Sequence, residues 1–235
     1  MRVLTWNLFH GRSQPPAGRE LSACFAEAMA SWDWDAALLQ EVPPWWPALL
    51  GRACRAEERT ALTSRNFGLR LRRAAALRWP DVLKSNGGGC NAILARRQIT
   101  EHHAMRLRRV PERRMAQLVR LADGTCLVNF HASSRPKLAR EELAALWERA
   151  TAFSAGAPLV LGGDLNLRAP SLPRNAIAHV ATRDVDHLFA RGFAQCGRAQ
   201  QLDRHVEVGA RRVELSDHPP VVIALRAAAD AGRQA

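Results

Sequence analysis

Short apolar segments of strand length alternate with amphipathic helical segments along this chain, and the alternation restricts the folds open to it. The strand-like segments are residues 3–7, 36–40, 91–95, 117–121, 125–130, 159–162, 185–189 and 221–225. Apolar residues recur at helical spacing in residues 21–32 and 137–154. Asp123 and Gly124 separate two of the strands as a hairpin turn would. Helices interleaved with strands and a hairpin predict a mixed α/β fold.

The chain has 235 residues, of which 47% are hydrophobic, enough for one large core. No repeat or linker divides it, so we expect one domain over residues 1–226, a frayed tail over 227–235 and a monomer. Residues 43–90 include an arginine-rich stretch, one or two helices and a glycine-rich loop at 85–89. No apolar run approaches the roughly 20 residues of a membrane helix, so we expect no stable membrane insertion.

The formal net charge of +12 favours a polyanionic partner, either a nucleic acid or a nucleotide. Only Lys84 and Lys137 among the 34 basic residues are lysines, and this arginine bias is also typical of a G+C-rich genome. Five cysteines without close pairs or zinc-site spacing predict reduced thiols. With no signal peptide before the first strand, we expect a cytoplasmic protein.

The strand at 159–162 runs into Gly163, Asp164, Leu165 and Asn166. Residues two apart on an extended segment point the same way, so Asp164 and Asn166 would face one spot. The glycines before them would let a ligand approach closely. A carboxylate beside an amide suits a phosphate with its metal ion. The alternative is a strand followed by an Asx turn.

Other strands end in polar side chains in the same way. These residues are Asn7, Glu41, His131, Asp186 and His187, together with Ser216, Asp217 and His218 directly before the last strand. Each is unfavourable to bury without a partner. Convergence on one polar site explains the repetition better than packing does.

The ordered series of these segments resembles the endonuclease/exonuclease/phosphatase superfamily, which has the DNase I-like fold. The segments are Trp6-Asn7, Gln40-Glu41, Asn91-Ala92-Ile93-Leu94, Asn129-Phe130-His131, Gly163-Asp164-Leu165-Asn166, Val185-Asp186-His187 and Ser216-Asp217-His218, within residues 3–225. The resemblance implies a four-layer α/β sandwich in which helices cover two packed mixed β-sheets. It also implies a Mg²⁺-dependent phosphoesterase site at one end of the sheets.

The resemblance assigns the metal to three residues. Glu41 is the main Mg²⁺ ligand because a hard cation binds carboxylate oxygen, and Mn²⁺ is a possible substitute. Asn7 helps to hold the metal or a phosphate oxygen, and Asp217 is a second ligand, directly or through water.

The resemblance also assigns the catalytic roles. Asp164 orients or deprotonates water or assists at the metal, and Asn166 holds the phosphoryl group. His218 is either the general base or a transition-state contact, with Asp186 accepting its other ring N–H. His131 is the general acid at the leaving oxygen. The choice of base between His218 and Asp164 stays open.

Further residues near the motifs have weaker assignments. Arg113 is a candidate phosphate contact, and Asn91 is expected to brace the substrate site. His187 should point away from Asp186 as a structural residue. Trp45 and Trp46 either stack on a base or form a packed loop, and we favour the loop.

We expect hydrolysis of a phosphodiester, with DNA or RNA as the preferred substrate. The alternatives are a phosphomonoesterase or phosphodiesterase for a small or lipid-derived substrate, and an inactive nucleic-acid-binding relative. The chain has no tyrosine and therefore lacks the phosphate-contacting tyrosine of the abasic-site repair branch. Glu41, Asp164, Asp186 and Asp217 are all present, which disfavours an inactive protein.

Overall fold

The computed structural model describes residues 1–63, 66–81, 89–173 and 176–228. Its strands form two six-stranded sheets and one three-stranded sheet. The predicted glycine-rich loop lies outside the described residues except for Gly89, and so does the predicted tail from residue 229 onward.

The first large sheet is mixed and has the strand order β12-β15-β1-β3-β5-β4. In that order the strands are Phe193–Gln201, Val221–Ala227, Arg2–Asn7, Ala36–Val42, Cys90–Ala95 and Glu57–Leu62. Strand β1 is parallel to β3 and antiparallel to β15. Asn7 therefore lies opposite Gln40 at the carboxyl ends of two parallel strands.

The second large sheet is also mixed, with the order β10-β11-β9-β8-β7-β6. These strands are Ala178–Arg183, Asp186–Arg191, Leu159–Asp164, Cys126–Phe130, Arg114–Leu121 and Ile99–Arg108. Strand β8 runs parallel to β9, which is antiparallel to β11. This register places Asp164 directly opposite Asp186.

The small sheet and the helices complete the described part of the chain. The small sheet has the order β13-β14-β2, with strands His205–Val208, Arg211–Leu215 and Ser13–Gln14. The α-helices are Ser22–Ser31 (α1), Pro47–Cys54 (α2), Leu69–Arg78 (α3) and Pro136–Ser154 (α4), and Phe9–Gly11 forms a 3₁₀ turn. None of these helices is long and apolar enough to cross a bilayer. The five cysteines are unpaired.

Three apolar clusters define four layers. Between the sheets, residues such as Val3 and Leu38 pack against Leu127 and Val160. The outer face of the first sheet packs against α1 and α2, and that of the second packs against α4. Strands covered on both faces read as nearly continuous apolar runs, which is why they stand out in the sequence. The predicted α/β sandwich of two mixed sheets flanked by helices is confirmed.

Buried amides join the two sheets near one end. Asn129, on β8, donates through Nδ2 to the carbonyl oxygens of Leu39 at 2.8 Å and Ala92 at 3.0 Å. Its Oδ1 accepts a bond of 2.8 Å from Nε2 of Gln40. Because all three partners belong to the first sheet, Asn129 sets how that sheet meets the second.

Strands that the sequence pattern missed are polar or peripheral. Strand β6 is a half-exposed edge strand of sequence ITEHHAMRLR, and its ten residues are held mainly by backbone pairing with β7. Strands β4, β10, β12, β13 and β14 also escaped prediction, since each exposes many of its side chains. The strand that begins at Asp186 is consequently not the penultimate one, because β12, β13 and β14 follow it.

Replacing Asn129 by leucine should lower the free energy of unfolding by about 2–4 kcal/mol. The substitution keeps the volume but leaves Leu39 O, Ala92 O and Gln40 Nε2 without this partner between the sheets. Gln117→Met is the control, since Gln117 is equally buried but makes only one long side-chain hydrogen bond, of 3.3 Å between its Nε2 and Nε2 of His102, and its Oε1 has no partner among the described residues. The free energy of unfolding of the control, measured in urea, should lie within about 1 kcal/mol of the wild-type value. Equal losses of stability in the two variants would show that Asn129 does not hold the sheets together through these bonds.

His187 lies buried on β11, on the opposite face of the strand from Asp186. Its Nε2 donates to Leu167 O at 2.6 Å, and its Nδ1 lies 3.0 Å from Nε2 of His179. Burial lowers the pKa of His187 to about 4, and the positive charge that His179 can carry acts in the same direction. The carbonyl of Leu167 and the charge of Asp164 oppose the shift without cancelling it.

Acidification from about pH 6.5 to pH 4 should therefore destabilise the fold. In that window the unfolded chain binds a proton at His187 that the folded chain does not, which lowers the free energy of unfolding by up to about 3 kcal/mol. Urea unfolding at several pH values should give a shallower pH dependence for His187→Gln. His103→Gln, at an exposed histidine that pairs only with Glu101 among the described residues, should change the pH dependence much less than His187→Gln does. If the free energy of unfolding depends on pH with the same slope in all three proteins, His187 is not the source of the acid destabilisation.

Candidate active site

A cavity of about 470 Å³ opens where the carboxyl ends of β1, β3, β8 and β9 meet. Nine of the ten predicted site residues line it: Asn7, Glu41, Asn91, Arg113, His131, Asp164, Asn166, Asp217 and His218. The tenth, Asp186, lies behind His218 and contacts it. The topology thus gathers residues separated by up to 211 positions in sequence into one cleft.

Asp164 and Asn7 connect the two sheets at the floor of this cavity. Oδ2 of Asp164, at the end of β9, accepts a bond of 2.9 Å from Nδ2 of Asn7, at the end of β1. Oδ1 of Asn7 accepts the backbone N–H of Phe9, also at 2.9 Å. Both side chains are buried, so their orientations are set by these bonds.

Asp164 and Asn166 reach the cavity through a turn and not along an extended strand. Oδ1 of Asp164 accepts the backbone N–H of Asn166 at 3.0 Å, and Asn166 has a positive φ of 51°. Nδ2 of Asn166 donates to Ala132 O at 3.0 Å. The same-face argument from the two-residue spacing was therefore wrong, although both residues line the cavity. The Asx turn, the alternative reading of the motif, is what the chain forms.

Gly162 and Gly163 allow close approach of neighbouring strands and do not make room for a ligand. A Cβ on Gly162 would meet His187 O at 2.4 Å, and one on Gly163 would meet Phe130 O at 2.0 Å. Gly163 also has a φ of 134°. The glycines let β9 lie close to its two neighbouring strands, which corrects the expectation that they make room for a substrate.

The half-buried His218 pairs with the buried carboxylate of Asp186. Nδ1 of His218 lies 2.8 Å from Oδ2 of Asp186, and its Nε2 lies 3.9 Å from Oδ1 of Asp217. Burial alone would lower the pKa of His218, but the Asp186 hydrogen bond and the charges of Asp186, Asp164 and Asp217 outweigh it and raise the pKa to about 9. Asp186 therefore holds the ring so that Nε2 is directed toward the cavity.

Ser216 holds the loop that carries His218 and had no predicted role of its own. Its hydroxyl donates to Asn7 O at 2.6 Å and accepts the backbone N–H of His218 at 3.0 Å. Indole Nε1 of Trp6 donates to His218 O at 2.8 Å. The loop is thereby tied to the end of β1, beside the Asn7 side chain.

Two histidines flank the Glu41 carboxylate. Nε2 of His10 lies 3.1 Å from Oε2 of Glu41, and Nε2 of His131 lies 3.9 Å from Oε1. His131 also lies 3.5 Å from Oδ2 of Asp164, and burial lowers its pKa. Sequence reasoning missed His10, which sits in the loop after β1 at a φ of 55°. Its only sequence signal is a histidine three positions after Asn7.

The oxygen ligands around Glu41 fit a hard divalent cation. Within 4 Å, the described residues offer the Glu41 carboxylate only histidine nitrogens and no arginine. Asp217 and Oδ1 of Asn7 add further oxygens to the same cavity. Ligand atoms of Asp164, Asp186 and His218 also lie within 4.8 Å of one another. Two members of that group, Asp186 and His218, already bond to each other.

Another part of the cavity lining consists of two arginines, one glutamate and an amide: Arg113, Arg114, Glu112 and Asn91. Nδ2 of Asn91 donates to Met115 O at 2.8 Å, whereas its buried Oδ1 has no partner among the described residues. Nε of Arg113 lies 3.3 Å from the Met115 sulfur. Arg114, which was not predicted, donates to Glu112 at 2.5 Å, and its buried Nε finds no acceptor in the described part of the chain. The remaining unpredicted lining residues are Phe9, Thr63, Gly89, Glu112 and Ser134.

Two face-to-face mixed sheets with this cavity at one end define a DNase I-like α/β sandwich. The sequence model of the endonuclease/exonuclease/phosphatase family matches residues 4–218. The chain belongs to that family, whose members are generally hydrolytic phosphoesterases and typically depend on a divalent metal. A search of curated protein sequences found no match.

Solved structures with the same fold share little sequence with this chain. An endonuclease/exonuclease/phosphatase from Beutenbergia cavernae has a TM-score of 0.70 at 18% identity, covering 97% of this chain and 71% of that one. A mannosyl-6-phosphatase from Bacteroides thetaiotaomicron has a TM-score of 0.67 at 16% identity, with coverage of 96% and 99%. A truncated TDP2 from Caenorhabditis elegans has a TM-score of 0.66 at 16% identity, with coverage of 96% and 97%.

Replacing Asp186 by asparagine should lower kcat for bis-p-nitrophenyl phosphate by about a hundredfold or more and change KM little. The amide cannot reproduce the charge that orients His218, although its shape is similar. Asp33→Asn is the control, because Asp33 is exposed, paired with Arg2 and absent from the lining of both cavities. Its turnover should stay within about twofold of the wild type, whereas comparable losses in both variants would show that Asp186 has only a structural role.

Proposed function

We propose that this protein is a divalent-metal-dependent phosphodiesterase that hydrolyses nucleic acid. One observation carries the proposal: Glu41, Asp164, His131 and His218 line the same cavity, and Arg114 lines its wall. A carboxylate cluster can hold a cation, histidines can transfer protons, and a guanidinium can bind phosphate. Together these groups meet the chemical needs of phosphate-ester hydrolysis.

Glu41, Asn7 and Asp217 are the residues we assign to Mg²⁺, for which Mn²⁺ could substitute. A bound divalent ion would supply charge neutralisation at the phosphoryl oxygens. Glu41 supports this assignment by its backbone as well as its side chain. Its φ of 51° is uncommon for a residue with a Cβ, and such strain is concentrated at functional sites.

The chain's own groups would handle the protons. His218 and Asp164 both line the cavity in which an attacking water would lie. Because the pKa of His218 is raised to about 9, His218 would carry a proton at neutral pH and hold the water or a phosphoryl oxygen in line, and Asp164 would accept the proton of the water. His131 contacts Asp164 and Glu41 and is assigned as proton donor to the leaving oxygen. The Asn166 amide uses one N–H for Ala132 O and has a second for a phosphoryl oxygen.

Charge and shape favour a polymeric substrate. The chain has a net charge of +12, and Arg113 and Arg114 line the cavity. A second cavity of about 370 Å³ shares Asp217 and His218 with the first and is also lined by Arg183, Asp184 and Asp186, so it extends the cleft without adding net positive charge. A cleft that continues past the catalytic residues on both sides can accommodate a phosphate within a chain.

A phosphomonoesterase is the second candidate function. The mannosyl-6-phosphatase with the same fold motivates it, since hydrolysis of a sugar phosphate would need the same metal and proton-transfer groups. A substrate panel distinguishes the two: single-stranded DNA, plasmid DNA, RNA, bis-p-nitrophenyl phosphate and mannose 6-phosphate, each assayed with Mg²⁺ and with EDTA. Turnover of mannose 6-phosphate with no turnover of any nucleic acid would overturn the nuclease proposal.

EDTA should abolish turnover of bis-p-nitrophenyl phosphate, and Mg²⁺ should restore it. Glu41→Gln should raise the Mg²⁺ concentration for half-maximal activity about tenfold or more, because it removes the carboxylate assigned to the metal. Glu27→Gln, at an exposed acid on α1, should titrate as the wild type does. Activity that survives EDTA, or equal Mg²⁺ titrations for Glu41→Gln and the wild type, would contradict the metal assignment.

A further inference from the structure

Exposed large apolar side chains are concentrated in one short part of the described chain. Phe67 is 92% exposed, Leu71 80% and Trp79 52%. Leu62 and Leu77 are exposed as well, and only Val110 lies elsewhere among the described residues in this class. Helix α3 itself buries none of its residues. Such a concentration is typical of a binding surface.

The same segment is strongly cationic. Helix α3 has the sequence LRLRRAAALR and contains no acidic residue. Within the described ranges, neither Arg70 nor Arg73 forms an ion pair with an acid. The Arg78 guanidinium lies 5.6 Å from the centre of the Trp79 ring. The surface therefore combines positive charge with aromatic and aliphatic contact area, which fits an anionic partner.

The arrangement of these side chains distinguishes between possible anionic partners. At 100° per residue, the exposed face of α3 presents Arg73, Leu77, Arg70, Ala74, Arg78 and Leu71 in turn, so apolar and cationic groups alternate around it. A helix that lies on a membrane separates these groups onto two faces. Duplex DNA keeps its base faces stacked inside. A single strand offers both phosphates for arginine and base faces for rings, as this surface requires.

The segment adjoins the candidate active site at both ends. Thr63 and Gly89 line the cavity, and the Thr63 hydroxyl donates to Gly89 O at 2.7 Å. Nδ2 of Asn66 donates to the carbonyl oxygens of Thr63 at 2.8 Å and Gly89 at 3.1 Å. Near the end of α3, Leu77 shares a small pocket with His10, the residue that contacts Glu41. A strand bound along α3 would thus be next to the cleft.

We propose that an α3 platform, formed by Phe67, Arg70, Leu71, Arg73, Arg78 and Trp79, binds single-stranded polynucleotide next to the cleft. Arginines of the platform bind phosphates while Phe67 and Trp79 stack on bases. This inference rests on the proposed function, because it identifies the substrate as nucleic acid with a single-stranded segment. It adds a binding surface outside the cavity and a preference for single strands over duplex.

Binding of fluorescein-labelled dT20, measured by anisotropy in EDTA, tests the platform. Phe67→Ala/Trp79→Ala should weaken binding about tenfold or more through lost stacking. Arg70→Gln/Arg73→Gln should weaken it and reduce the slope of log affinity against log salt by about 1.4, for two phosphate contacts. The charge-matched control is Arg140→Gln/Arg149→Gln, at exposed positions on α4. The control should bind dT20 as the wild type does.

Turnover of bis-p-nitrophenyl phosphate should stay within about twofold of the wild type in both platform variants, since this small substrate does not reach α3.

Unchanged dT20 binding in both variants would overturn the platform. Tighter binding of a 20-base-pair duplex than of dT20 by the wild type would overturn the platform in favour of a duplex site. Platform variants that bind dT20 normally but no longer bind phosphatidylcholine/phosphatidylglycerol vesicles would overturn it in favour of a membrane site. Platform-dependent dT20 binding without turnover of any nucleic acid would support the platform and reject the proposed function. Nucleic-acid turnover with unchanged dT20 binding in the variants would support the proposed function and reject the platform.

Discussion

The site depends on how the two sheets meet at their carboxyl ends. Along most of their length the sheets are held by a buried apolar cluster, but near the cavity the contacts become polar. Asn129 bonds to Gln40, and Asn7 bonds to Asp164, each pair crossing from one sheet to the other. Buried amides and carboxylates are tolerated only with partners, so these bonds specify one relative position of the sheets. Residues from both sheets can then share one cavity.

Backbone strain accumulates around the same cavity. His10, Glu41, Asn166 and Ser216 all have positive φ values between 51° and 67°. Local bonds hold several of these turns: Asp164 accepts the Asn166 amide, and Ser216 bonds to both Asn7 and His218. Positive φ at residues with a Cβ is unfavourable on its own. The surrounding hydrogen bonds therefore maintain the conformations that direct these side chains toward the cleft.

The buried parts of the fold were predictable because their side chains repeat in a simple pattern. The hairpin at Asp123-Gly124 and the long helix α4 lie close to where the sequence placed them, since each has an apolar face packed in a core. Strand β6 and the strands around residues 193–215 were missed, because backbone pairing rather than apolar periodicity holds them. The polar strand ends were predictable for a different reason. An acid or amide that follows a buried apolar strand is unfavourable to bury without a partner, so its presence indicates a polar site.

The amino-acid sequence by itself determined the α/β class, the family and the candidate residues, because these depend on the order of short segments along the chain. Only the tertiary structure decided which groups meet. It brought His10 to Glu41 and put Arg114 in the cavity wall, neither of which the family resemblance had implied. It also reassigned Gly162 and Gly163 from substrate access to close strand packing. These outcomes depend on register and on the crossing of two sheets, which bring together residues far apart in sequence, and no local spacing encodes them.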